Sequence, residues 1–308
     1  MQDVQGKTAF ITGGASGMGL GMAKAFANAG MKVVIADIRR EALDEAIREN
    51  FAETNFDVHG IPLDVTDRNQ WVTAADEAEE RYEKIHLLVL NAGVGVIATM
   101  QTATYKDWDF CMGVNVDGCI NGLVTMLPRM LRHGEPGHVV ATSSTGGFSA
   151  VGGAGLYCTA KFAVAGMMES LATDLADTPI GASVFFPGPV QTSLGLTTRE
   201  VRPAHLRNEE IADGGPAFRR PPHQGVDSNL FMTKEEVGER VLRGIRNGDL
   251  MIMTHPEFRD GLVARNDALL RAIPEEPPNT ARHEMLKAFG TLLYNPIYDE
   301  QKQVLTPP

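Results

Sequence analysis

Residues 8–19 read TAFITGGASGMG, and this short stretch decides the fold class of the chain. The β-branched and apolar run Thr8–Thr12 predicts a buried strand that leads straight into a glycine-rich turn and a helix. Glycines let the backbone turn tightly and approach a pyrophosphate, which the free N–H groups of the helix N-terminus then bind. The spacing Gly13-x-x-x-Gly17-x-Gly19 differs from G-x-G-x-x-G, and a plain strand-to-helix turn is the alternative interpretation.

Short apolar runs and longer amphipathic segments alternate over the first two-thirds of the chain. Further strands are predicted at Lys32–Ala36, Asp57–Leu63, Leu87–Leu90, His138–Thr142 and Ala182–Phe186, with helices at Glu41–Asn50, Gln70–Tyr82 and Ala160–Ala176. Such alternation is typical of a parallel sheet covered on both faces, a doubly wound, Rossmann-type α/β fold. Ligands of this fold bind beyond the carboxyl ends of the strands.

The last third of the chain is less regular. Residues 1–255 are predicted to form one domain, in which a Gly-, Pro- and Arg-rich segment over about 193–232 serves as a substrate lid. Thr233–Glu236 predicts a capping box that opens a helix ending near Gly248, and Leu250–Thr254 predicts one more strand. Residues 256–308 are predicted to be a helical extension, with pieces at Glu257–Ile273 and Ala281–Tyr294, packed on the domain or on a partner subunit.

Composition excludes several classes of protein. The chain has 308 residues, is 43% hydrophobic, and carries a net charge of −11, which disfavours nucleic acid or an anionic membrane as a partner. It shows no signal peptide and no apolar run of the ~18 residues that a membrane span needs, so a cytoplasmic protein is predicted. Neither the cysteines nor the histidines have metal-ligand spacing, and loop or surface positions are expected for the histidines His205, His223 and His255.

Tyr157 and Lys161 are the strongest candidates for chemistry. At i and i+4 on a predicted helix, both side chains leave the same face. An ammonium beside a phenol favours the phenolate, so this pair could move a proton on or off an alcohol oxygen. The motif is common on solvated helices, and its meaning depends on the residues around it.

Asp37 ends the second predicted strand. A carboxylate there can accept hydrogen bonds from the adenosine ribose hydroxyls and would repel a 2′-phosphate, which favours NAD over NADP. Arg39 and Arg40 follow at once and could accept the extra phosphate, so NADP is not excluded. A helix N-cap or a surface carboxylate are the other interpretations of Asp37.

Together these motifs resemble the short-chain dehydrogenase/reductase family, single-domain NAD(P)-dependent subgroup, over roughly residues 6–254. The resemblance includes T-G-x-x-x-G-x-G at Thr12–Gly19, an N-A-G turn, a Ser–Tyr–Lys set and a P-G-x-V-x-T loop. It implies that the cofactor-binding residues are Gly13, Ser16, Gly17, Met18, Gly19, Asp37, Asp64, Val65, Asn91, Ala92, Gly93, Tyr157, Lys161, Pro187, Gly188, Val190 and Thr192. It implies that the catalytic residues are Asn115, Ser144, Tyr157 and Lys161.

Each catalytic residue receives a role from this resemblance. Tyr157 would be the general base for alcohol oxidation and the general acid for ketone reduction, with Lys161 favouring its ionised form and binding the nicotinamide ribose. Ser144 would hold the substrate oxygen, although Ser143 is its immediate rival. Asn115 would anchor a water that relays protons from Lys161. Asp64 would meet the adenine, unless it only caps its own turn, and Thr192 would meet the nicotinamide amide, unless it is a helix N-cap.

The substrate is predicted from the segments that follow Ser144, Asn91 and Pro187. They supply an apolar lining: Val94, Val96, Phe148, Val151, Leu156, Phe186, Leu194 and Leu196. Such a pocket suits an aromatic or otherwise hydrophobic secondary alcohol or ketone, although the arginines Arg199, Arg202 and Arg207 could recruit a carboxylate. The segments at 121–130 and 202–204, with the extended C-terminus, resemble bacterial Cα-dehydrogenases that oxidise benzylic alcohols of lignin-type aryl ethers.

Other functions stay open at this point. An NADP-dependent carbonyl reductase or a steroid-type hydroxy dehydrogenase would use the same residues. A non-catalytic NAD(H)-sensing regulator would keep the glycine turn, but such proteins usually lose the tyrosine and the lysine. The family resemblance also implies a homodimer or a homotetramer.

Overall fold

The computed structural model describes residues 1–208, 227–299 and 301, and its centre is a parallel sheet. The seven strands are β1 (Thr8–Thr12), β2 (Lys32–Asp37), β3 (Val58–Pro62), β4 (Leu87–Leu90), β5 (Gly137–Thr142), β6 (Ile180–Phe186) and β7 (Met251–Met253). Their spatial order is β3-β2-β1-β4-β5-β6-β7, and every neighbouring pair is parallel. The chain leaves β1 toward β2 and later returns to place β4 on the other side of β1. The loops after β1 and β4 therefore diverge and open a crevice between them.

Helices cover both faces of the sheet. Among the described residues they are α1 (Gly17–Asn28), α2 (Arg40–Asn50), α3 (Arg68–Tyr82), α4 (Tyr105–Met112), α5 (Gly118–His133), α6 (Gly155–Asp174), α7 (Leu194–Val201), α8 (Lys234–Asn247), α9 (Arg259–Arg271) and α10 (Thr280–Lys287). Helices α3, α5 and α6 pack on one face, and α1, α2 and α8 on the other. The predicted doubly wound α/β fold is confirmed.

Side-chain alternation along β1 shows why two helical layers are needed. Phe10 points to one face, where its ring lies 5.8 Å from that of Trp71 on α3. Ala9 and Ile11 point to the other face, against α1 and α8. All are fully buried, and a buried side chain of this kind contributes roughly 1.5–3 kcal/mol when it is withdrawn from water. A strand that is apolar on both faces is stable only between two layers.

One helical stretch, Tyr105–His133, stands out in the described part of the chain. By length and composition it could cross a membrane, although 44% of its apolar window is buried inside the protein. It runs from α4 through a π-helical turn, Gly113–Asp117, into α5. Met126 and Met130 on α5 are fully buried in the core beneath it. The stretch therefore packs as a core helix of the sheet layer.

The C-terminal part begins as expected and then departs from the prediction. Thr233 and Glu236 form both hydrogen bonds of the capping box, and α8 ends at Asn247, followed by Gly248 in the left-handed conformation. The second tail helix was predicted to reach Tyr294, which is wrong. It ends at Lys287, and Gly290, with φ 66°, follows in the left-handed region where a helix cannot continue.

The end of the tail returns to the domain. Asn295 donates to the Thr173 hydroxyl on α6 over 2.8 Å, and the Tyr298 hydroxyl donates to Glu169 over 2.6 Å. The Gln301 side-chain oxygen accepts the N–H of Met251 at 2.7 Å. Because β7 is the last strand of the sheet, this bond satisfies a donor that the sheet leaves open.

Candidate active site

The glycine turn after β1 is shaped by close backbone approach. Gly13 and Gly17 have φ of 63° and 51°, a region that residues with a Cβ rarely adopt. A Cβ on Gly19 would overlap the carbonyl oxygen of Gly13. The turn thus forms a cradle that any larger residue would fill, at the N-terminus of α1, where the helix offers free N–H groups.

The loop after β4 is fastened to this turn. The Thr12 hydroxyl accepts the N–H groups of Asn91 and Ala92 at 2.9 and 3.0 Å. The Asn91 side chain donates to the carbonyl oxygens of Thr12 and Gly13 at 3.1 and 3.3 Å. The predicted N-A-G turn therefore forms the opposite wall of the crevice from the glycine turn.

Asp37 lies at the end of β2, 7% exposed, with its carboxylate toward the crevice. Its Oδ1 accepts the backbone N–H of Arg39 at 3.1 Å and Nε of the same residue at 3.2 Å. Arg39 also donates from Nη2 to the Ser16 hydroxyl at 2.9 Å. The guanidinium thus bridges the glycine turn, which was predicted to bind the pyrophosphate, and the carboxylate that was predicted to bind the adenosine ribose.

A cleft of about 350 Å³ runs between these elements. The predicted cofactor residues at its border are Gly13, Ser16, Gly17, Met18, Asp37, Asp64, Val65, Asn91, Ala92, Gly93 and Thr192. Six other predicted cofactor residues do not border this cleft: Gly19, Tyr157, Lys161, Pro187, Gly188 and Val190. A glycine cradle at a helix N-terminus and a buried carboxylate after β2 fit a dinucleotide with its ribose on Asp37.

Asp64 has the local role that the sequence left open. Its Oδ1 accepts the N–H and the hydroxyl of Thr66 at 2.9 and 2.7 Å, so it caps its own turn. It also borders the cleft, as does Val65, whose carbonyl oxygen accepts the Trp71 indole N–H at 2.9 Å. Capping and adenine contact are therefore compatible at this position.

Lys161 and Asn115 lie together behind Gly93. Lys161 is 4% exposed, donates from Nζ to the carbonyl oxygen of Thr142 at 2.9 Å, and lies 5.6 Å from the centroid of the Tyr157 ring. Asn115, in the π-helical turn, exchanges two 3.0 Å hydrogen bonds with the backbone of Val94. A Cβ on Gly93 would lie 2.8 Å from Asn115 Oδ1 and 3.5 Å from Lys161 Nζ. The three residues thus converge at one point.

The two candidate serines have different surroundings. Ser143 is fully buried, and its hydroxyl donates to the carbonyl oxygen of Lys161 at 2.7 Å. Ser144 is partly exposed, and its Oγ accepts the N–H of Gly146 at 3.1 Å, which leaves its own proton available. A Cβ on Gly146 would lie 3.6 Å from Ser144 Oγ and 3.7 Å from Tyr157 Cδ1, so the serine and the tyrosine flank the same glycine.

The described part of the predicted lid lies on the loop after β4. The Thr198 hydroxyl on α7 accepts the N–H of Gly95 at 2.8 Å. Arg202 pairs with Asp107 at 2.7 Å, so this arginine is not available to recruit a carboxylated substrate. Burial alone would raise the pKa of Asp107, but bonds from Thr104, Arg202 and Asn208 offset this and lower it. The predicted His223 lies outside the described residues.

Several residues assigned to the substrate pocket are core residues instead. Leu156 is fully buried beside Val94 and Val96, in a small cluster that includes Phe110 and Cys111. Phe186 and Phe148 pack edge to face, with ring centroids 5.3 Å apart. Val151 and Leu196 are exposed. The region is therefore apolar, as predicted, but several of these side chains pack in the core beneath the site and do not line a substrate pocket.

His255 is not the free loop histidine that the sequence suggested. Its Nδ1 lies 2.5 Å from the Thr254 hydroxyl, which accepts the N–H of Gly188 at 2.8 Å. The signal that could have found it is position, since His255 follows β7 and Pro187 follows the adjacent strand β6. The carboxyl ends of adjacent parallel strands meet at one edge of the sheet.

Comparison with known proteins identifies similar chains and folds. The family described as short chain dehydrogenase matches residues 7–202. The C alpha-dehydrogenase of Sphingobium sp. (strain NBRC 103272 / SYK-6) is 38% identical over 302 residues, which cover 94% of this chain and 95% of that protein. A short chain dehydrogenase/reductase from Burkholderia phymatum, solved in complex with NAD, has a TM-score of 0.82 at 32% identity, covering 91% of this chain and 100% of that chain. The apo form of LigD from Sphingobium sp. strain SYK-6 has a TM-score of 0.73 at 35% identity. The match covers 89% of this chain and 100% of that chain.

Proposed function

The chain belongs to the short-chain dehydrogenase/reductase family, and on that basis we propose that it transfers a hydride between NAD and an aromatic or otherwise hydrophobic secondary alcohol or ketone. The observation that carries the proposal is that Tyr157 lies near both Lys161 and Ser144, while Lys161 lies behind Gly93 at the border of the glycine-lined cleft. A dinucleotide-binding regulator would need the cleft but not these three side chains.

In the proposed reaction each of these residues has a separate role. When bound, the nicotinamide cofactor supplies or accepts the hydride. Tyr157 accepts the proton of the alcohol, and Ser144 donates a hydrogen bond to the same oxygen, where negative charge develops. Lys161 Nζ lies 5.6 Å from the centroid of the Tyr157 ring and is held in place by its hydrogen bond to the carbonyl oxygen of Thr142. Asn115 holds the loop at Val94, and in the proposed mechanism it anchors a water that relays protons from Lys161.

The aromatic substrate class has two supports. The Sphingobium relative that matches over most of both chains is a C alpha-dehydrogenase. The cleft itself is bordered by apolar side chains, among them Val94, Val114 and Leu194. An apolar wall with few charges favours an aryl group over a sugar phosphate or an organic acid.

The direct test is a panel of aryl secondary alcohols incubated with NAD or with NADP. We expect NADH to accumulate with benzylic secondary alcohols and not with 2-hydroxy acids of similar size. Faster turnover with NADP would replace the NAD assignment by the NADP-dependent carbonyl reductase. NADH binding without turnover of any alcohol or ketone would favour the non-catalytic regulator.

Cofactor choice should depend on Asp37 and Arg39. Asp37→Ala is expected to weaken NAD binding about tenfold or more, because a ribose hydroxyl loses a charged acceptor. The matched variant Arg39→Ala frees Asp37 from the guanidinium and should weaken NADP binding while leaving NAD binding nearly unchanged or tighter. Dissociation constants from fluorescence titration would check both. A loss of NAD affinity in Arg39→Ala equal to that in Asp37→Ala would contradict this division of roles.

The cytoplasmic location and the homodimer or homotetramer stay predictions. The assembly has some support from α5, where Ile120 and Val124 are exposed, Val124 to 70%. Apolar residues exposed side by side on a helix are typical of an interface.

A further inference from the structure

The short segment after β6, Pro187–Pro189, is tied to the segment after β7. The N–H of Gly188 donates to the Thr254 hydroxyl at 2.8 Å, and Thr254 is itself 2% exposed. The imidazole of His255 lies against the same loop, since a Cβ on Gly188 would lie 2.9 Å from its Cε1. Thr254 therefore holds the backbone of this loop by a hydrogen bond, and His255 packs against it.

The two holding residues are also bonded to each other. Thr254 Oγ1 and His255 Nδ1 lie 2.5 Å apart. Burial is the main reason that the pKa of His255 is lowered, so the ring is uncharged at neutral pH and has one donor and one acceptor nitrogen. The hydroxyl and the imidazole thus form one continuous hydrogen-bonded link from Gly188 through Thr254 to His255.

The side chains of His255 and Phe258 also pack closely against the loop at Gly188. A Cβ on Gly188 would lie 2.5 Å from His255 Nδ1 and 2.8 Å from Phe258 Cε2, so only glycine fits there. The Phe258 ring meets His255 edge to face at 5.8 Å, and meets Phe148 in the same way at 6.2 Å. Phe148 belongs to the turn that begins at Ser144. His255 therefore sits at the junction of the loop after β6 and the serine segment.

We propose that His255 is a positioning residue, which acts through Thr254 to fix the loop 187–189 in the shape that receives the nicotinamide end of the cofactor. The inference rests on the proposed function, because it takes the glycine-lined cleft as the site of the dinucleotide. It extends that function to a residue that touches neither hydride nor proton. A loop whose backbone is already held by a hydrogen bond and by packing loses less conformational freedom when the cofactor binds.

The test uses His255→Leu, Thr254→Val and the double variant in the full-length protein. Each single variant is expected to raise the dissociation constant of NADH about five- to tenfold in fluorescence titration, because each breaks the link. The KM for NAD should rise in parallel, while the KM for the alcohol changes by less than about twofold. The dissociation constant of the double variant should not exceed the larger of the two single-variant values, since both changes remove one shared link.

Two controls keep the result interpretable. Thr254→Ser keeps the hydroxyl and should stay within about twofold of wild-type NADH affinity, and His283→Gln removes an exposed histidine of α10 and should have no effect. NADH affinity of His255→Leu within twofold of wild type would overturn the proposal. So would equal losses in Thr254→Ser and Thr254→Val, or losses that multiply in the double variant. Failure of the wild-type protein to bind NADH or NADPH would instead overturn the proposed function.

Discussion

Tyr157→Phe is expected to lower turnover of the best aryl alcohol by roughly 10²–10⁴-fold, the range that a positioned general acid or base contributes. The change removes only the hydroxyl. The ring keeps its place on α6 and its 5.6 Å approach to Lys161 Nζ, so packing around the site is preserved. The measurement is the initial rate of NADH formation at saturating NAD and alcohol.

The same variant should bind NADH within about threefold of wild type, because the phenol hydroxyl contributes to proton transfer far more than to cofactor affinity. Tyr105→Phe is the matched control. Tyr105 is 88% exposed at the start of α4, and removing its hydroxyl should leave the rate unchanged. A Tyr157→Phe enzyme that turns over near the wild-type rate would exclude the tyrosine from the reaction.

The parts of this protein that were predictable from sequence are those encoded locally. The run Thr8–Thr12 is apolar on both faces, and the glycines after it permit the positive φ angles that the turn adopts. The capping box at Thr233 and Glu236 is likewise a contact between residues three apart. Such features depend on neighbours along the chain, so composition and spacing reveal them.

The rest depends on residues that meet only in the folded chain. Arg39 was interpreted as a residue that could bind the 2′-phosphate of NADP. In the structure it hydrogen-bonds Asp37 and, 23 positions away, Ser16. The link between His255 and the loop at Gly188 spans 67 positions, from which no periodicity could have suggested it. The unexpected role of Arg202 as the partner of Asp107 has the same origin. The family resemblance supplies candidate site residues, but the contacts that hold them in place form only in the folded chain.

Burial distinguishes two neighbours that sequence could separate only by spacing to Tyr157. Ser143 ends in the core with its proton committed to the Lys161 carbonyl oxygen, whereas Ser144 faces the side of Gly146 that the tyrosine ring also borders. A hydroxyl already bonded to buried backbone cannot also bind a substrate oxygen. Hydrogen-bond accounting therefore favours Ser144 over Ser143 as the proposed residue that holds the substrate oxygen, as motif spacing does.

Alanine at Ser144 should consequently lower turnover, whereas alanine at Ser143 should lower stability. Ser144→Ala is expected to lower kcat by about 10²–10³-fold, the usual loss when one hydrogen-bond donor to a developing oxyanion is removed, with little change in the free energy of unfolding. Ser143→Ala should keep turnover within about threefold of wild type. It should lower the free energy of unfolding by about 1 kcal/mol or more, because the Lys161 carbonyl oxygen loses a buried donor. Steady-state kinetics and urea denaturation of both variants provide the comparison. If Ser143→Ala lost turnover while Ser144→Ala kept it, the substrate oxygen would have to be reassigned to Ser143, and the burial argument would be wrong.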